Sequence, residues 1–171
     1  MESTETIWLN KYGKRFCNEA YGGPLLSGCA MFQTPQPGIS EAEVIAMRGK
    51  PFHEMQDGDI RILEWTANNY NQYTYMARIG PDGKLVSFEQ VLTVENFSAL
   101  KPDVSTKEDV LKTVGHPNPF ESEDLPLTGT EGWTYRYKEN GIWDSMMHIH
   151  FYPNGVVKRL ENGLDPLFLR P

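Results

Sequence analysis

The sequence predicts an α+β fold: a tandem repeat of two units, each a short helix, or helix pair, packed on a three-stranded antiparallel meander. The first observation behind it is a duplicated order of motifs. Pro37-Gly38-Ile39-Ser40-Glu41-Ala42-Glu43-Val44, Gly49-Lys50-Pro51, Trp65 and Pro81-Asp82-Gly83-Lys84-Leu85-Val86 form the first copy. Pro102-Asp103-Val104-Ser105-Thr106-Lys107-Glu108-Asp109-Val110, Gly115-His116-Pro117, Trp133 and Pro153-Asn154-Gly155-Val156-Val157 answer it in the same order. An ordered repeat of this kind implies two copies of one structural unit, each of roughly 65 residues. The second observation is helix punctuation at the head of each copy, and the third is strand-like alternation behind it. The chain divides into an N-terminal segment (1–35), a first repeat (36–95), a second repeat (96–165) and a tail (166–171).

Each unit opens with a helix of about ten residues. Ser40 and Ser105 are placed as N-caps, whose hydroxyls accept from the free N–H groups of the first turn. Glu41 and Glu43 in one copy, and Glu108 and Asp109 in the other, follow where the helix dipole favours negative charge. Val44, Ile45 and Met47 give one apolar stripe, and Val110, Leu111 and Val114 the other. Gly49 and Gly115 stand at left-handed C-cap positions, and Pro51 and Pro117 forbid continuation.

Strands follow in both copies. In the first, Ile62 to Ala67, Gln72 to Ile79 and Leu85 to Thr93 are expected, with Pro81-Asp82-Gly83 as a turn. In the second, Trp133-Thr134-Tyr135-Arg136-Tyr137-Lys138 alternates aromatic and polar residues, Asn140-Gly141 is a hairpin signal, and strands run from Ser145 to Tyr152 and from Val156 to Leu160. Asn96 to Leu100 adds a short helical turn. The acidic, proline-bearing segment from Pro117 to Glu131 reads as an exposed loop.

The 171 residues are enough to bury a substantial core. A net charge of −7 and the lack of any Lys/Arg run argue against nucleic acid as a partner. No stretch approaches the roughly 18 apolar residues of a membrane-spanning helix, so a membrane link has to be a lipid. Cys17 and Cys29 can pair in an oxidising compartment, but they lack the spacing of a zinc site. Leu25-Leu26-Ser27-Gly28-Cys29-Ala30 resembles a bacterial lipobox, in which the cysteine becomes the lipidated first residue of an exported protein. The apolar run of a signal peptide is not found between Phe16 and Pro24. The expected location is therefore the periplasmic side of the outer membrane if Cys29 is processed, and the cytoplasm if the lipobox is accidental.

The order Ser-x-x-Glu-Val, Gly-x-Pro, Trp, then Pro-Asp/Asn-Gly before a last strand resembles the small outer-membrane lipoprotein family known as SmpA/OmlA, or BamE-like. The tandem arrangement also resembles the β-lactamase-inhibitory protein. The likeness covers about residues 36 to 165. It implies a helix pair on one face of an antiparallel sheet, the opposite face being free for a partner, and no active site; no cofactor is expected. Members of such families act as envelope-assembly accessories or protein binders.

Strand alternation names the candidate binding surface. Ser145, Met147, Ile149 and Phe151 are expected in the core, leaving Asp144, Met146, His148, His150 and Tyr152 outward. Met76 and Arg78 are the matching positions of the first copy, and Arg136 and Trp143 complete a surface rich in residue types favoured at interfaces. His148 and His150, at i and i+2 on one strand face, suit a metal if a third ligand joins them. No nucleophile with a base and no acid–base carboxylate pair stands in a motif context, so no catalytic residue is assigned. The leading expectation is a non-enzymatic envelope lipoprotein that binds or scaffolds protein. The alternatives are a protein inhibitor that covers an enzyme with its sheet face, and a metal-binding protein using His148 and His150.

Overall fold

Both longer helices begin where a hydroxyl side chain and a carboxylate three residues on cap each other. Helix α1 (Glu41–Arg48) is capped by Ser40, whose Oγ accepts from the Glu43 amide while the Glu43 carboxylate accepts from the Ser40 N–H at 2.8 Å. Helix α3 (Lys107–Val114) repeats the arrangement one residue later than expected, with Thr106 and Asp109 and an amide-to-carboxylate distance of 2.7 Å. Thr106 displaces Ser105 as the cap because Asp109 lies three residues beyond it, completing a capping box. Ser105 instead accepts the Lys101 amide on its Oγ. These hydrogen bonds to the charged form hold the Glu43 and Asp109 carboxyls below their usual range.

The computed structural model describes residues 34–67, 72–117, 123–125 and 130–168, and those from Pro35 onward belong to one compact unit. The first sheet contains β1 (His53–Asp57), β2 (Ile60–Ala67), β3 (Tyr73–Ile79) and β4 (Leu85–Gln90), antiparallel and in chain order. Helix α2 (Val94–Ala99) and α3 follow. The second sheet contains β5 (Glu123–Leu125), β6 (Thr130–Glu139), β7 (Trp143–Phe151) and β8 (Val157–Leu164), again in chain order, and a 3-10 turn at Pro166–Phe168 closes the described chain.

The expected α+β class, a helix on a three-stranded meander repeated twice, is therefore corrected. Among the described residues strand outnumbers helix by more than two to one, so the fold is mostly β, and each sheet has four strands. The additional strands were hidden for physical reasons. β1 reads His-Glu-Met-Gln-Asp and only Met55 is even partly buried, so this edge strand carries no apolar alternation. Its signal was the Asp57-Gly58 pair, with Gly58 at φ +58 in the tight turn to β2. β5 lies inside the acidic segment read as a loop, and is only three residues long.

The duplication survives at the level of hydrogen bonds. The Glu41 amide donates to the Gly83 carbonyl at 3.0 Å and the Lys107 amide to Gly155 at 2.9 Å, so each helix N-terminus rests on the turn before the last strand of its sheet. Both third strands carry a bulge near their ends, at Arg78/Ile79 and at His150/Phe151. Counting back from those bulges aligns Met76 with His148 and Arg78 with His150. Ala77 pairs with Leu63 and Ile149 with Trp133, so the partner of Trp65 in the second copy is Tyr135 rather than Trp133. Function follows that register: Trp65 Nε1 donates to the Gly49 carbonyl and the Tyr135 hydroxyl to the Gly115 carbonyl, each at 3.0 Å. Gly49 and Gly115 take φ of +83 and +86 with ψ near 180°, a glycine-only region rather than the left-handed helical one. This sharp exit presents the glycine carbonyl to the aromatic donor.

The layers run helix, sheet, helices, sheet. Val44 of α1 packs with Leu63, Trp65, Ala77, Ile79 and Leu85 on one face of the first sheet. Phe97 of α2 and Val110 and Val114 of α3 pack with Tyr135, Tyr137, Ile149 and Phe151 on the second. Phe97 meets Tyr137 edge-on at 5.0 Å. Each large side chain buried in this way contributes about 1.5–3 kcal/mol. The side of α3 away from the second sheet faces the first: Arg78 donates to the Lys112 carbonyl at 3.1 Å, and Lys112 pairs with Asp57 at 2.8 Å. The outer face of the first sheet, which the resemblance leaves free for a partner, is thus occupied by the second repeat. Among the described residues no helix is long and apolar enough to cross a membrane.

Candidate functional site

The residues expected to form one outward surface are divided by this layering. Met76 is fully buried, packed with Ile62 and Val91, and Arg78 is half-buried against α3, so neither is available to a partner. Met146 lies on the outward side opposite Arg136, as strand parity predicts, but is buried at 8% exposure and so is not available to a partner either. The expected core residues of β7 are buried as read. The remaining polar side chains of the second sheet's outer face pair with one another. Arg136 holds Asp165 through two contacts of 2.7 and 2.8 Å, and Lys138 pairs with Asp144 at 2.7 Å. The Asp144 carboxyl is lowered chiefly by that lysine, and Gln72 also donates to it. His148 Nδ1 meets Thr134 Oγ1 at 2.9 Å, and His150 Nε2 meets Glu161 at 3.1 Å. Among the described residues no third metal-binding side chain gathers at these two histidines. Tyr152 is partly exposed and its hydroxyl donates to Asp103. Cys29 lies outside the described residues.

Trp143 is 63% exposed and has company. Ile142 before it, Leu164 of β8, and Leu167 and Phe168 of the 3-10 turn are all exposed large apolar side chains. Leu164 pairs with Ser145, two residues from Trp143 and on the same face, so Leu164 and Trp143 are diagonal neighbours. Asn140 and Gly141, both at positive φ, turn the chain tightly enough to present Ile142 and Trp143 at the sheet's end. Trp143 and Leu164 thus share the side of Ser145, while the Phe168 ring lies 5.9 Å from Lys138 Nζ on the side of Asp144, so the exposed apolar residues wrap this end of the second sheet.

A second grouping joins the repeats and was not singled out by sequence reasoning. His53 opens β1, Glu64 lies on the same face of β2 directly opposite it, and His116 follows the α3 C-cap. Glu64 is fully buried. Its carboxylate accepts the His116 backbone N–H at 3.1 Å and lies 2.8 Å from His116 Nδ1. The His53 ring stacks on His116 at 3.7 Å between centroids. Partial burial pushes the His53 imidazole below its ordinary pKa; His116 adds to this and the Glu64 carboxylate opposes it. Tyr135, buried beside Glu64, is raised well above the phenol range by burial first and by that carboxylate second. Gly115 fits closely here: a Cβ would lie 3.0 Å from Glu64 Cδ and from Thr74 Cγ2. The three side chains offer one ligand atom each, all within 4.8 Å of one another. The signal available in the sequence was weak, since Gly115-His116-Pro117 reads as helix-stop punctuation and a glutamate between Leu63 and Trp65 reads as the solvent side of a strand. What buries Glu64 is the other repeat.

The sequence matches no protein-family model, and no curated protein is similar enough to it to count as a relative.

Proposed function

We propose that this protein is a non-enzymatic protein-binding module of the cell envelope, related to the SmpA/OmlA (BamE-like) lipoproteins, tethered through Cys29 and engaging its partner with the open end of the second sheet around Trp143. The observation that carries the binding reading is that Ile142, Trp143, Leu164, Leu167 and Phe168, exposed between 41% and 70%, all stand where β7 begins and β8 ends, wrapping one end of the second sheet. Exposed aromatics beside aliphatics supply the anchors that dominate interface energies, and scattered single residues do not. The tandem motif order and the Leu25-Leu26-Ser27-Gly28-Cys29-Ala30 lipobox support the envelope assignment. An inhibitor covering an enzyme with its sheet face would have the second sheet alone to use, because α3 fills the outer face of the first.

A photoreactive amino acid at position 142, in protein made from its native gene, tests the surface. The expected result is one discrete adduct with a single envelope protein, lost on Trp143→Asp, and none from the same probe at Val86, an exposed apolar position of the first repeat. Equal labelling from both positions, or none from 142, would count against it. The intact mass of the membrane-fraction species tests the tether, which requires a chain beginning at acylated Cys29.

A further inference from the structure

We propose that His53, Glu64 and His116 form a binding site for one divalent transition-metal ion of the zinc class, which clips the first repeat's sheet to the second repeat's helix cap. Two imidazoles and one carboxylate are a ligand set used by three-ligand zinc sites, with the fourth position left to water or another small donor. Nitrogen donors select such ions over calcium and magnesium, which take oxygen ligands. The three residues come from β1, β2 and the segment after α3, and their ligand atoms already lie within 4.8 Å of one another.

The present arrangement also states what metal entry changes. His116 Nδ1 and Glu64 Oε2 are 2.8 Å apart, a hydrogen-bond distance. Two ligands on one tetrahedral zinc ion stand about 3.4 Å apart, given bonds of about 2.1 Å. The ion therefore replaces the proton between them with a small opening of the pair. Glu64 Oε1 keeps the His116 amide at 3.1 Å, and this orients the carboxylate as second-layer hydrogen bonds do at metal centres. The stacked His53 ring, tilted only 15° from His116, cannot aim an in-plane lone pair at the same ion. His53 is exposed at the start of an edge strand, where a side-chain rotation meets little packing. Glu64 and His116 form the fixed half of the site and His53 the arm that closes it. Because the metal displaces protons, its affinity falls on acidification.

The full chain, without a histidine tag and stripped with chelator, is titrated with Co²⁺ followed by visible absorption, and with Zn²⁺ by calorimetry. One saturable site is expected, with no calcium or magnesium binding at the same concentrations. His53→Ala and Glu64→Gln should each weaken Zn²⁺ binding at least about tenfold, by analogy with the losses seen on disturbing metal-site shells. His53→Ala changes an exposed side chain, so its fold is expected to hold, and circular dichroism checks both variants. Cys17→Ser, Cys29→Ser and His148→Ala should leave binding unchanged. Absence of saturable binding, unchanged affinity in folded His53→Ala, or loss of binding in a cysteine or His148 variant would each overturn the proposal.

Discussion

The two repeats share caps, turns and bulges, yet the outer faces of their sheets have opposite fates. In the first, Ile62, Glu64 and Met76 are buried beneath α3 and its cap. In the second, the equivalent face carries Arg136–Asp165, Lys138–Asp144 and His150–Glu161 pairs, and His148 is half-buried. Corresponding positions show the divergence: Met76 against His148, Arg78 against His150, Glu64 against Thr134. One unit has used its face to hold its neighbour, and the other carries ion pairs on its face, with Thr134 and Met146 buried among them. Duplication thus yields an asymmetric molecule in which the second helix layer serves both sheets.

The glycines after α1 and α3 give the largest contrast. Both have positive φ, so alanine is strained at either, but a Cβ at Gly49 meets nothing within 4 Å, whereas one at Gly115 presses on Glu64 and Thr74 at 3.0 Å. Gly49→Ala should cost about 2 kcal/mol from backbone strain, and Gly115→Ala about 4 kcal/mol once overpacking is added. Urea denaturation of the two variants checks the difference, and equal losses would place the junction more loosely than the contacts imply.

Glu64→Ala should destabilise by about 2–4 kcal/mol, because it strands the His116 amide and leaves a cavity. At the equivalent position of the second sheet, Thr134 is also buried but carries no charge and holds only the half-buried His148 ring, so Thr134→Ala should cost about 1 kcal/mol. Thermal unfolding of the pair sharpens the comparison between a junction face and an ion-paired one.

A smaller effect concerns the caps, which the halves share. Glu43 and Asp109 have folded-state carboxyls below their usual range, so their stabilising contribution is present above the unfolded value near pH 4 and is lost as pH falls through the folded one. Stability should hold between about pH 7 and 5 and decline below about pH 4. Asp109→Asn and Glu43→Gln should each flatten that decline in urea midpoints measured across pH.

Much of the local structure was legible in the sequence because it is set by local chemistry. Ser40 with Glu43, the Pro-Asp/Asn-Gly turns, and the aromatic alternation of Tyr135 and Tyr137 all depend on neighbours a few residues away. What escaped was set at a distance. β1 is a polar edge strand stabilised by its pairing with β2, so its own pattern shows nothing. Met76 and Arg78 were assigned outward because strand parity separates two faces but does not tell which face another repeat will cover. Glu64 and His116 lie 52 residues apart, and neither stands in a motif. The Trp65–Trp133 match was misleading for a related reason: identity of residue type pointed to one register, while the hydrogen bond to the cap glycine is made by Tyr135.

Amide hydrogen exchange on wild type and Glu64→Ala tests most directly whether the two repeats are joined through the first sheet's outer face. Joining predicts that the substitution lowers protection together in β2, β3 and the C-terminal half of α3, with the His116 amide among the sites most affected. Loss confined to β2 and β3, with α3 and His116 as protected as before, would contradict it.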